Sequence, residues 1–146
     1  YKRQDHKNEN FAGSFGTSVS SNLIDSTKNS DLIIVLGARL GEMTTQGYEI
    51  IGENESNQKL IHIHVDPNEL GAVYPPDLGI VSTVKNFSSL LMNLHIDQAF
   101  CWKDWCEVLR TEHVRDLEPP GYSGKLDLGR IFFDLDQITQ YCLNYH

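Results

Sequence analysis

Sulfur is scarce in this chain of 146 residues, which has three cysteines and two methionines. An odd cysteine count without secretory features points to reduced thiols in a cytoplasmic setting. Cys101 and Cys106 are not spaced as a C-x2-C zinc pair, and no second pair follows. All three cysteines, Cys142 included, fall among helix-patterned residues, so buried or half-buried thiols are expected. Positive charge is also thin. Twelve Lys and Arg face twenty Asp and Glu, a formal net charge of −8. The few basic residues are scattered, which argues against the clustered cations of a nucleic-acid surface. No apolar run approaches the roughly 20 residues that span a bilayer, and no signal-peptide core opens the chain. The first residue is Tyr1 rather than Met, from which we expect a piece cut from something longer.

Several catalytic signatures are missing as well. There is no G-x-G-x-x-G fingerprint and no Walker-type G-x-x-x-x-G-K-[ST]. Ser, His and Asp all occur, but without a G-x-S-x-G elbow to organise a nucleophile, so hydrolase chemistry has no positive support. Neither an internal repeat nor a low-complexity tract is present.

What remains is an ordinary globular pattern, with 40% hydrophobic and 22% charged residues. The opening stretch to about Ser18 is polar, and Phe11-Ala12-Gly13-Ser14-Phe15-Gly16 reads as a loop with two aromatic anchors. Weak helical spacing at Val19, Leu23 and Ile24 ends near Asn29-Ser30. Asp31 then introduces Leu32-Ile33-Ile34-Val35-Leu36, a run expected to be buried on both faces as a central parallel strand. In Leu60-Ile61-His62-Ile63-His64-Val65, alternation puts Leu60, His62 and His64 on one face and Ile61, Ile63 and Val65 on the other. Asp66, Pro67 and Asn68 open a short helical stretch. A third strand is expected at Leu78–Ser82, then a helix carrying Phe87, Leu90, Leu91 and Leu94 at helical spacing. Such alternation predicts βαβ units in an α/β fold with a parallel sheet. Its strand ends at Gly37, Asp66 and Ser82 then share one edge, where ligands of open α/β sheets bind. Further on, Trp102, Trp105, Cys106, Leu109 and His113 form a stripe on a helix expected to pack over the sheet. Glu118-Pro119-Pro120-Gly121 reads as a linker. A last helix from about Asp127 aligns Leu128, Ile131, Phe132, Leu135 and Ile138, a face whose packing partner is expected outside the chain.

Three features can carry chemistry. Gly37-Ala38-Arg39-Leu40-Gly41-Glu42 follows the best strand. Its glycines allow a sharp turn, and Arg39 can pair either with phosphate oxygens or with a nearby carboxylate. Asp66, after the second strand, can accept the hydroxyl protons of a ribose or simply cap the next helix. His62 and His64 face the same way, but without a third metal ligand they read as a satisfied structural pair.

Together these pieces resemble the central domain of thiamine-diphosphate-dependent enzymes, in the branch of acetolactate synthases and related carboligases. The matching stretches are Phe11–Gly16, Ser30–Glu42, Thr44-Thr45-Gln46-Gly47-Tyr48 and Lys59–Leu70, in the family's order and spacing. Gly124-Lys125-Leu126-Asp127 and its helix look like the start of the family's diphosphate-binding domain. The resemblance implies a Rossmann-like parallel sheet flanked by helices, incomplete at its N-terminal side. It divides the chain into a partial central domain (1–97), a helix and linker (98–123), and the truncated opening of the C-terminal domain (124–146). It implies a parent that decarboxylates or ligates 2-oxo acids with thiamine diphosphate and Mg²⁺, as a dimer or tetramer. In that family a Glu of the first domain activates the thiamine, and a Gly-Asp-Gly…Asn motif of the third holds the diphosphate and the metal. Neither element is found in these 146 residues, so this stretch is expected to be inactive by itself. Some family members hold FAD or ADP in the central domain; Gly37, Ala38, Arg39 and Asp66 match that cofactor site, while Thr83 stands where a second acid is usual. The rival readings are a stand-alone adenine-nucleotide module of the same sheet class and a non-catalytic assembly domain.

Overall fold

Ile33, Ile34 and Val35 are β-branched and stiff at χ1, which suits a pleated strand better than a helix. In the structure, a computed structural model, Leu32–Leu36 is strand β1. Residues 5–52, 58–95, 100–119, 121 and 124–143 are described. Helix α1 (Ser21–Lys28) precedes β1, and β2 (Lys59–His64), β3 (Leu78–Val81), α2 (Val84–Leu91), α3 (Lys103–Asp116) and α4 (Leu128–Leu143) follow. The sheet order is β1–β2–β3 with both pairings parallel, so the fold is a Rossmann-like α/β sheet flanked by helices. Val35 lies opposite His62, and Ile63 opposite Ile80. The core joins Val35, Leu40 and Leu60, with Ile33, Ala38, Ile51 and Tyr74 packed around them. The loop after β1 therefore folds back over the sheet through Leu40.

Side chains from loops fix the strands in register. Gln58 Nε2 donates to the carbonyls of Thr27 (2.9 Å) and Ser30 (3.0 Å), tying the exit of α1 to the start of β2. Asp77 accepts from Lys59 Nζ (2.8 Å) and from the Leu60 amide (2.9 Å), which fixes the entry of β3 beside β2. At the other end of the chain, Arg110 Nη1 on α3 donates to the carbonyls of His6 (3.1 Å) and Phe11 (2.8 Å). Ser20 Oγ donates to Asp116 Oδ2 at 2.7 Å. Phe11 is stacked on His6 and meets His113 edge-on. These contacts fasten the N-terminal arm and α1 to α3.

The structure corrects several expectations. The β1 run is not buried on both faces: β1 is an edge strand, and Leu32 and Ile34 are exposed. Among the described residues β2 alone has a neighbouring strand on each side, and it carries the fully buried Ile63 with buried Leu60, His62 and His64. The crossovers are not helical among the described residues. Between β1 and β2 the chain runs in turns, with positive φ at Gln46, Gly47 and Tyr48, a conformation no helix accommodates. Between β2 and β3 there is only the 3-10 turn Pro67–Glu69. Helix α3 pairs with α1 and buries Leu109, whereas Trp102 and Trp105 of the expected stripe are exposed. Phe11 anchors the N-terminal loop but Phe15 is exposed. Leu94 lies beyond the end of α2, and Leu90 and Leu91 are exposed. Cys101 is exposed and Cys106 half-buried. Tyr1, the side chain of Cys142 and the division at 97/98 lie outside the described residues. On α4, Leu128, Phe132, Leu135 and Ile138 are exposed.

Acid should loosen this fold in two stages. Burial, then the charge of Arg110 and of His6, lowers the His113 pKa from its ordinary 6.5, with Asp116 opposing. The folded state thus binds this proton less readily than the unfolded chain, so stability is full above 6.5 and falls as pH drops through the folded pKa. The Lys59 hydrogen bond, and next the Leu60 amide, lower the Asp77 pKa from 3.8. Its contribution is likewise complete above 3.8 and lost below it. We expect urea midpoints to decline in two steps on acidification, the upper one absent in His113→Gln. A flat profile between pH 7 and 5 in the parent chain would refute the first step.

Candidate functional site at the carboxyl edge of the sheet

Parallel pairing places the ends of all three strands along one edge. Gly37 N donates to Ile63 O (2.8 Å) and Ser82 N to His64 O (3.1 Å), so the segments leaving the strands stay hydrogen-bonded to β2. At Gly37 the backbone turns through φ +69°, and an added Cβ would lie 2.5 Å from Val84 Cγ2. Only glycine permits both the conformation and this approach of α2.

Each residue singled out from the sequence is found at this edge with a protein partner. Arg39 Nε pairs with Glu69 Oε1 at 3.1 Å, with the Arg39 side chain 73% exposed and that of Glu69 23% exposed. Asp66 Oδ1 accepts from the backbone N and side-chain Nδ2 of Asn68, each at 2.9 Å, and so caps the Pro67–Glu69 turn. The Asn68 backbone N–H, first, holds the Asp66 carboxyl below its ordinary 3.8 against desolvation, which opposes it, and the Asn68 side-chain amide and the charges of His64 and Arg39 add to the lowering. Thr83 Oγ1 accepts from Asn86 N at 3.2 Å and caps α2. His64 Nδ1 accepts from the Asp66 amide at 3.1 Å, and His62 Nε2 donates to Ala38 O at 3.0 Å.

Arg39, Leu40, His62, Glu69, Val73 and Tyr74 wall a cavity of about 150 Å³ at this edge. Glu69 and Tyr74 were missed from the sequence. The signals were slight: Glu69 is an acid in the first turn after Asp66-Pro67, and Tyr74 an aromatic just ahead of Pro75-Pro76. A larger cavity, about 620 Å³, opens between the Ala12–Ser14 loop, α1 and the end of α3, where Ser20 and Asp116 bond to each other. Among the described residues no three His, Cys, Asp or Glu side chains are grouped to hold a metal ion, and no helix is long and apolar enough to cross a membrane.

These features agree with what the chain is similar to. It is 32% identical over 81 residues to a glyoxylate carboligase of Escherichia coli O157:H7, covering 52% of this chain and 13% of that protein. It is 33% identical over 73 residues to a probable chloroplastic acetolactate synthase 2 of Oryza sativa subsp. japonica, covering 50% of this chain and 10% of that protein. The chain thus spans a small part of the length of these relatives. The family model for the central domain of thiamine pyrophosphate enzymes matches residues 4–91, which takes in β1, β2, β3 and α2. The chain belongs to the thiamine pyrophosphate enzyme family, in its central domain.

Proposed function

We propose that this stretch is the structural centre of a thiamine-diphosphate enzyme that decarboxylates or ligates 2-oxo acids, in the manner of acetolactate synthases. The observation that carries the reading is the central-domain match over residues 4–91, joined to two relatives named as a carboligase and an acetolactate synthase. Residues 124–146 would open the diphosphate-binding domain, and the exposed face of α4 would pack against the rest of it. Thiamine diphosphate and Mg²⁺ would be held elsewhere in the parent. The residues described here do not fit them, since no acidic or histidine trio is grouped for a metal and Asp66 and Glu69 are bonded to Asn68 and Arg39. In this reading the protein orients and the cofactor performs the carbanion chemistry.

The test is to read the flanking coding sequence and assay its whole product with pyruvate or glyoxylate. We expect a Gly-Asp-Gly…Asn motif downstream, CO₂ release that requires thiamine diphosphate and Mg²⁺, and no turnover by the 146 residues alone. An intact flanking frame without that motif would sink the reading. Nucleotide occupancy at Gly37, Ala38, Arg39 and Asp66 is weak in this proposal. The Arg39 and Asp66 contacts would have to be taken from Glu69 and Asn68, so ADP or FAD should bind the isolated chain no tighter than about 0.1 mM. Micromolar ADP binding abolished by Arg39→Ala and Asp66→Ala would favour the nucleotide-module alternative.

A further inference from the structure

The N-terminal arm meets α3 around one aromatic ring. Phe11 lies flat against His6, ring centroids 4.6 Å apart, and at 78° to His113, 5.1 Å away. Arg110, one turn before His113 on α3, commits Nη1 to the carbonyls of His6 and Phe11. Gly13 completes the joint: a Cβ there would lie 3.6 Å from His113 Nδ1 and 3.1 Å from Leu23 of α1, so the imidazole sits against bare backbone. The surroundings act on that ring through burial and through three charges, with no hydrogen bond to it among them. Those ionisable neighbours are Arg110 and Asp116 on α3 and His6 on the arm. The α1 side adds Leu23 and the Ser20 hydroxyl, which is bonded to Asp116 at 2.7 Å.

We propose that His113 is an acid-released pin, whose protonation frees the arm from α3 and opens the cavity of about 620 Å³ between them and α1 while the sheet stays folded. A proton taken up from solvent adds a second cation one helical turn from Arg110. The guanidinium cannot retreat without dropping both arm carbonyls. The new charge is seated among Phe11, Gly13 and Leu23 with no acceptor, which burial penalises. Asp116 is the one anion among its ionisable neighbours, and turning to His113 would give up Ser20. Either response loosens the same joint. His6 is the poorer sensor, because it lies flat on Phe11 and a ring face attracts a cation. The sign follows from linkage: the buried ring binds its proton less readily than the released one, so the clasp is whole above 6.5 and is lost as pH falls through the docked value. Ala12, Gly13 and Ser14 of the arm line the cavity, so release removes one of its walls. The upper acid step thus belongs to a single joint, independently of the family reading.

The test is an NMR titration of the full chain from about pH 7.5 to 5, the range in which histidine changes charge. Three signals are followed: the His113 ring, proton contacts from the Arg110 side chain to the arm, and exchange protection of the Gly37 amide, which is bonded to Ile63 O. We expect the arm contacts to be lost along the same curve as the His113 ring titrates, with Gly37 protected throughout. His113→Gln should keep the arm docked over the whole range, and His6→Gln should switch as the parent chain does. An arm still docked at pH 5 beside a protonated His113 would overturn the proposal. So would release that persists in His113→Gln, or loss of Gly37 protection together with the arm. Should His113→Gln fail to dock the arm at pH 7.5, the parent chain and His6→Gln decide between them.

Discussion

Alanine at position 37 is expected to lower the unfolding free energy by about 2–4 kcal/mol, from two causes that act together. The left-handed backbone at φ +69° costs a residue with a Cβ about 1–2 kcal/mol. That Cβ would also lie 2.5 Å from Val84 Cγ2, and Val84 cannot readily turn aside because a β-branched residue in a helix has one strongly favoured rotamer. Relief therefore requires α2 to shift or the Gly37 N–H to leave the Ile63 carbonyl. Urea unfolding of Gly37→Ala, Val84→Ala and the double variant separates the causes. Val84→Ala removes the offending methyl group, so the double variant should be more stable than additivity allows by at least about 0.5 kcal/mol. Strict additivity would show that the contact is harmless.

Truncating Ile63 should be at least as damaging. Ile63 is fully buried on β2, where Leu36 and Ile80 pair with it on either side. Removing its outer carbons leaves a hole that the two flanking strands cannot fully collapse around, so Ile63→Ala is expected to cost about 3–4 kcal/mol. Ile63→Val should cost about 1 kcal/mol, which keeps the series measurable if the alanine variant does not fold. Val65, exposed just past the end of β2, is the control, and its alanine variant should change stability by no more than about 0.5 kcal/mol. Denaturation midpoints that fail to separate Ile63→Val from Val65→Ala would show that β2 is not the centre of the core.

What the sequence reveals here is set by range. The presence of β2, read one residue late at each end, the Asp66-Pro67 cap and the strand at Leu78 are written in neighbouring residues, through alternation, proline and side-chain capping. The edge position of β1 is not. A continuous apolar run states that both faces would accept cover, and whether cover arrives depends on what packs over each face of the sheet. Trp102 and Trp105 illustrate the same limit, because helical spacing marks a stripe without naming what meets it. At the candidate site, Gly37, Ala38, Arg39 and Asp66 were legible from turn chemistry and family likeness. Glu69 and Tyr74 were not, since their importance comes from contacts across the fold, to Arg39 and around the His62 cavity.

The fastening of the N-terminal arm to α3 also bears on the order of assembly. The sheet needs only modest chain closures, such as Leu60 to Asp77 across 17 residues. Ser20 to Asp116 and Arg110 to Phe11 join partners 96 and 99 residues apart. Closure entropy grows with loop length, and distant contacts form late unless nearer ones have first shortened the path. The sheet does this shortening, so the docking of α1 on α3 belongs to the last step of folding. By the same reasoning it is the first to come apart, and α3 can lift off the arm and α1 as a local opening while the three strands stay paired.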